Sequence, residues 1–192
     1  MKRLFAVLLV GLMVFALAAC KDTENTTATE EKIVVPDTTG GHFVNVFLNN
    51  SDKSLHEIAD AIISDSGLGG HTCTVTDVSE GVLKGFGNAE IAGFKKAVLV
   101  STRSVKLPFL AYVFELEDGT DAESFKQTLK DNVDLKYNGI TSADEIIVQD
   151  KGDKVVVIIT PDKIDKVETE DESGNPVEGE VPIAGQNFDD SF

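Results

Sequence analysis

The chain of 192 residues has no tryptophan, two tyrosines, three histidines and two cysteines. With so few indole and phenol rings it lacks most of the aromatic material that sugar-binding platforms stack on. One of the cysteines, Cys20, ends an N-terminal leader, which leaves Cys73 without a partner in the chain. An intrachain disulfide is therefore excluded, and stability must come from packing. There is no Gly-x-Ser-x-Gly elbow of the kind that presents a serine nucleophile. Basic residues are also scarce, 17 Lys and Arg against 33 Asp and Glu. That balance argues against nucleic acid, whose phosphates are bound by clustered cations. A basic peptide, a cationic protein surface or divalent cations would suit the charge, although surplus carboxylates also simply keep a domain in solution.

The first twenty residues carry the strongest signal. Lys2-Arg3 is followed by sixteen uncharged residues from Leu4 to Ala19, and the run closes on Leu17-Ala18-Ala19-Cys20. This is the layout of a bacterial lipoprotein signal peptide, with cleavage between Ala19 and Cys20 and a diacylglycerol placed on the Cys20 sulfur. The apolar run is shorter than the roughly 20 residues a spanning helix needs, so removal is expected rather than retention. Lys21 rather than aspartate follows the cysteine. Without Lys2 and Arg3, 15 basic residues face the 33 acids, a net charge near −18. Such a chain is repelled by anionic lipid as a whole, so acyl chains on Cys20 must hold it at the membrane.

Residues 21–41 are rich in Thr, Glu and Asp and end in Gly40-Gly41. They are expected to form a flexible tether, reaching roughly 25 Å root-mean-square. A single domain is expected over 42–160. Phe43, Val44, Val46, Phe47 and Leu48 suggest a strand. Leu55, Ile58, Ala59 and Ile62 then fit one helical face, with Ser54 and Glu57 as a capping box, predicting a helix over 54–65. Residues 66–93 hold seven glycines and give no clear pattern. Two extended runs, 94–102 and 109–117, predict a hairpin whose Leu110, Tyr112, Phe114 and Leu116 share a buried face. Thr120 with Glu123 offers a second capping box, and Phe125, Leu129 and Val133 predict a helix over 121–134. A second hairpin follows over 145–149 and 154–160, and Val155–Ile159 is apolar on both faces, as in a central strand. The expected fold class is α+β, two helix-hairpin units building an antiparallel sheet with two helices on one face. From residue 161 to 192 ten acids oppose two lysines, predicting a disordered acidic tail with at most a turn of helix over 163–167.

Chemistry-bearing patterns are few. His56-Glu57-Ile58-Ala59-Asp60 approaches a zinc-protease helix but has aspartate where the second histidine belongs, so His56 and Asp60 read as a wet helix flank. His71-Thr72-Cys73 supplies too few ligands for zinc. Gly67–Gly70 and Gly85-Phe86-Gly87 lack the strand, helix and lysine of a phosphate loop and read as turns. Asp171–Asn175 offers calcium-loop oxygens, but Pro176 replaces the required glycine. No catalytic residue, metal site or cofactor is assigned.

The run Tyr112-Val-Phe-Glu-Leu-Glu-Asp-Gly-Thr-Asp-Ala-Glu-Ser-Phe-Lys, with Leu135-Lys-Tyr-Asn and Ala143-Asp-Glu-Ile-Ile-Val, resembles segments of uncharacterised lipoproteins of Gram-positive anaerobes. The resemblance covers about residues 90–160. It implies a hairpin, a helix opening on Asp-Ala-Glu, a closing hairpin and an envelope location, and no catalytic group. The resulting expectation is a lipid-anchored protein on the extracytoplasmic face of a bacterial membrane, binding an envelope protein or peptide. The alternatives are a small-solute or cation-binding lipoprotein serving a transporter, and a hydrolase using His56, Asp60 or His71.

Overall fold

The computed structural model describes residues 33–170 and 176–178. The leader with Ala19 and Cys20, the expected tether up to residue 32, the calcium-loop look-alike at 171–175 and the stretch beyond 178 lie outside the described residues. No described helix is long and apolar enough to cross a membrane.

The chain enters the fold through a helix, α1 (Thr39–Asn50), where a strand was expected. Thr38 caps it, its hydroxyl accepting from Gly41 N at 3.1 Å. The buried positions are Gly40, Gly41, Phe43, Val44 and Phe47, so the i, i+3, i+4, i+7 face begins on glycine rather than on an apolar side chain. Both glycines are needed there for space. A Cβ on Gly41 would sit 1.9 Å from the Pro36 carbonyl oxygen, and one on Gly40 would press on the Glu145 carboxylate and Ile147. Gly40-Gly41 is thus the first turn of a helix and not the end of a tether. Helix α2 (Leu55–Ile63) follows with the expected Ser54–Glu57 box complete and with Leu55, Ile58, Ala59 and Ile62 buried.

The unassigned stretch holds a 3-10 turn (Ser66–Leu68), the strand β1 (Cys73–Val78) and a small ribbon of β2 (Gly81–Val82) with β3 (Glu90–Ile91). The two expected hairpins are present: β4 (Phe94–Thr102) with β5 (Leu110–Leu116), and β6 (Glu145–Lys151) with β7 (Lys154–Thr160). Between them lies α3 (Ala122–Asn132). Its N-cap is Asp121, which accepts from Ser124 N at 3.0 Å, while Thr120 donates its hydroxyl to the Gly93 carbonyl instead of capping.

The five long strands form one antiparallel sheet in the order β1-β4-β5-β7-β6. Its two faces are both covered. On one, α1 and α2 pack over Val98, Val100, Phe109, Ala111, Val113, Val156 and Ile158. On the other, Phe125 and Leu129 of α3, with Phe86 and Ile91, pack over Leu99, Tyr112, Phe114 and Val157. Two helices do share a face, but the pair is α1 and α2; the second predicted helix, α3, lies on the opposite side.

The acidic stretch after Pro161 begins as part of the body. Ile164 packs against the α1–α2 core, Val167 N donates to the Gly69 carbonyl at 2.7 Å, and Thr39 donates its hydroxyl to the Asp162 carbonyl. No helical turn forms over 163–167. Strands β8 (Glu168–Glu170) and β9 (Pro176–Glu178) pair antiparallel beyond it.

Candidate functional site

The residues singled out from sequence do not converge. His56 and Asp60 are exposed on α2, and the His56 imidazole turns across to Asp77 on β1, Nε2 to Oδ1 3.3 Å, rather than towards Asp60. The His71 ring bonds through Nε2 to the Asp165 carbonyl at 2.9 Å. Cys73 is half-buried, its thiol directed at the His71 carbonyl at 3.6 Å, and burial pushes its pKa up to about 11. A thiol so raised is protonated at neutral pH and a weak nucleophile. Among the described residues no group of three or more His, Cys, Asp or Glu is placed to hold a metal ion.

The glycine loops have structural work of their own. Gly69 adopts φ +60 and has no room for a Cβ against Asp165 and Lys166, so it is the point where the C-terminal segment crosses the 3-10 turn. In Gly85-Phe86-Gly87 the phenyl ring is fully buried and anchors the loop, while Tyr112 donates its hydroxyl to the Lys84 carbonyl at 2.8 Å. Neither loop presents a run of free N–H groups ahead of a helix, as phosphate binding requires.

Two depressions lie at one end of the sheet. That end is defined by the last residue of β4, the first of β5 and β6, and the last of β7, since Ser101 pairs with Leu110, Leu110 with Ile159, and Glu145 with Thr160. The larger is an open groove of about 430 Å³ between α1, the 3-10 turn and the C-terminal segment, lined by Thr39, His42, Ser66, Lys163, Ile164 and Asp165. His42 Nε2 lies 2.6 Å from Asp65 Oδ1, which also accepts from Gly67 N at 2.7 Å. The carboxylate therefore caps the 3-10 turn and orients the imidazole.

The smaller depression, about 120 Å³, lies between the β4–β5 loop and the segment after α3, with Lys84, Arg103, Phe109, Tyr137 and Asn138 on its walls. Lys84 Nζ stands 5.3 Å from the centre of the Tyr137 ring, a cation–π distance. Burial pushes the Tyr137 phenol up to about 12. Asn138 braces the two loops by donating to the Val105 carbonyl at 3.1 Å and to Thr141 Oγ1 at 2.9 Å. Sequence reasoning passed over both places. His42 stands in the sequence only as the expected first residue of the domain, ahead of an expected strand over Phe43–Leu48. The one usable signal for the second site was Ser101–Phe109, a nine-residue stretch holding Arg103 and Lys106 and no acid in a strongly acidic chain.

No family model, no curated protein and no solved structure matches this chain.

Proposed function

We propose that the chain is a lipid-anchored extracytoplasmic lipoprotein whose α+β domain binds a protein or peptide partner of the cell envelope without catalysing a reaction. The observation that carries the address is Leu17-Ala18-Ala19-Cys20 closing a short apolar run after Lys2-Arg3. The resemblance of residues 90–160 to envelope lipoproteins agrees with it. Support for binding rather than catalysis comes from His56, His71 and Cys73, each engaged in a separate structural contact. The groove beside α1, with His42, Lys163 and Asp165 at its edge and the Ile164 side chain in its wall, offers a mixed polar and apolar surface of the kind that seats a partner's side chain.

A second reading follows from the size of that groove. At about 430 Å³ it falls within the range of small-molecule sites, so a small solute is the competing ligand. Metabolic labelling with a clickable fatty acid tests the anchor: label is expected on the native chain and absent from Cys20→Ala. Crosslinking in intact membranes tests the binding. A reproducible neighbour lost in a Lys163→Glu/Asp165→Lys variant supports a protein partner, whereas saturable heat with small solutes and no crosslinked neighbour supports the solute.

A further inference from the structure

Four cations gather around the loop that joins β4 to β5, at one end of the sheet. Arg103 and Lys106 lie in that loop, Lys84 and Lys136 in the segments beside it, and all four are exposed. Among the described residues Lys95 pairs with Asp118, Lys126 with Glu123 and Asp150, and Lys154 with Asp153. Among the described residues none of these four has a carboxylate within ion-pair distance, and Lys84 stands instead over the Tyr137 ring. Asp134, in the same segment, accepts from the Lys136 N–H at 2.9 Å. Asp144, Asp162 and Asp165 belong to the other side of that end, around β6 and the C-terminal segment.

Two aliphatic side chains project from the same loops. Val105 is 58 % exposed and Ile140 is 66 % exposed, among the most open large apolar residues described. Their positions are held rather than loose. Thr141 Oγ1 donates to the Val105 carbonyl at 3.2 Å, the Asn138 amide donates to the same oxygen, and Asn138 Oδ1 accepts from Ile140 N at 3.0 Å. Thr102 fixes the far side of the loop by donating to the Leu107 carbonyl at 2.8 Å. Projecting aliphatic tips, flanked by unpaired cations and a tyrosine, are the chemistry of a bilayer interface. The crevice between these two loops is small, about 120 Å³.

The chain also enters the fold at this end, because Gly40 N donates to Glu145 Oε1 at 2.6 Å and Glu145 opens β6. Strands β4 and β6 are three places apart, so the entrance and the loop are separated by about 15 Å across the sheet. From Cys20 to Ile33 the backbone can span at most about 45 Å.

On the reading that Cys20 is acylated, we propose that this end of the domain docks on the anionic lipid surface, Val105 and Ile140 entering the interface while Arg103, Lys106, Lys84 and Lys136 meet the headgroups. The acyl anchor supplies proximity and the patch supplies orientation, which leaves the acidic remainder turned outward. Only a local cationic patch can do this on so negative a chain, because charges beyond about 8 Å are screened at physiological salt.

The absence of tryptophan makes the test direct. The full chain carrying Val105→Trp, Ile140→Trp or, at the opposite end, Asp153→Trp is reconstituted in phosphatidylglycerol vesicles containing brominated acyl chains, with Cys20 acylation checked by mass. The expected result is strong quenching for V105W and I140W, weak quenching for D153W, and loss of the difference when R103E and K106E are added. Equal quenching at all three positions on an acylated chain overturns docking and leaves the anchor standing. A chain without acyl mass on Cys20 overturns the anchor and the docking that rests on it. A blue shift of V105W with polyglutamate but none with lipid overturns docking in favour of an acidic protein partner.

Discussion

At Cys73 burial decides chemistry. The thiolate is disfavoured inside the fold, so its pKa rises from the ordinary 9.0 to about 11. With Cys20 acylated or replaced by alanine, Cys73 is expected to react with a thiol reagent at pH 8 far more slowly in the native protein than in urea. The same shift has a stability consequence. Between about pH 9 and 11 the unfolded chain releases this proton and the folded one keeps it, so stability falls as pH rises through that window. Urea titrations of Cys73→Ala at pH 8 and pH 10.5 should show a smaller loss than the native chain; an equal loss would mean that the thiol is not the group responsible. Gly41 carries a different residue-scale constraint. A methyl group there would overlap the Pro36 carbonyl at 1.9 Å, so Gly41→Ala is expected to cost about 1–3 kcal/mol in chemical denaturation.

Among the elements, the helix caps and the ion pairs that clamp α3 can be tested singly. Removing the Ser54 hydroxyl opens the α2 capping box, and Ser54→Ala should cost about 1 kcal/mol without altering the fold. Lys126 of α3 is nearly buried and reaches Asp150 of β6 at 2.5 Å and Glu123 at 2.6 Å. Burial alone would lower its pKa, but the hydrogen bonds it donates to Asp150 and Glu123 outweigh that and hold it above the usual lysine value. Asp150→Ala leaves the ammonium half-satisfied, a loss of about 1–3 kcal/mol that Lys126→Met should largely recover in the double variant. The elements readable from sequence were those with complete periodicity: α2, α3 and both hairpins. Helix α1 was misread because its buried face runs through Gly40 and Gly41, which no apolar count registers, leaving Phe43–Leu48 to look like a strand. The edge strand β1 was missed because Cys73–Val78 is nowhere fully buried. The cationic loops are not legible in the sequence because 103–107 and 136–141 are distant along the chain and are joined in space, among other contacts, by the bonds of Asn138 and Thr141 to the Val105 carbonyl.

For the molecule as a whole, the decisive property is a sheet covered on both faces. Neighbouring residues of β5 serve different cores, Val113 beneath α1 and α2, Phe114 beneath α3. A sheet with one wet face would tolerate a polar residue at one of the two positions. Here Val113→Asp and Phe114→Ala should each cost about 3–5 kcal/mol, read as a fall in the denaturation midpoint. A benign effect at either position would mean that its face is open to water. This double layer was half legible: Leu110, Tyr112, Phe114 and Leu116 announced one face, whereas Ala111 and Val113 between them carried the other with less apolar bulk. The same difference hid the side on which α3 lies.

The hydrogen bond from Thr39 to the Asp162 carbonyl joins the place where the chain comes in to the place where it goes out. Entrance and exit share one doorway, so the fold has the topology of a closed cassette. A Gly-Ser linker joining residue 167 to residue 34 would keep Val35 and Ile164 in the core, and new termini could open in the Asp118-Gly119 or Gly152-Asp153 turn without cutting a strand of the main sheet. Seen this way, the domain is portable, a unit that can be hung from any polypeptide at a single point.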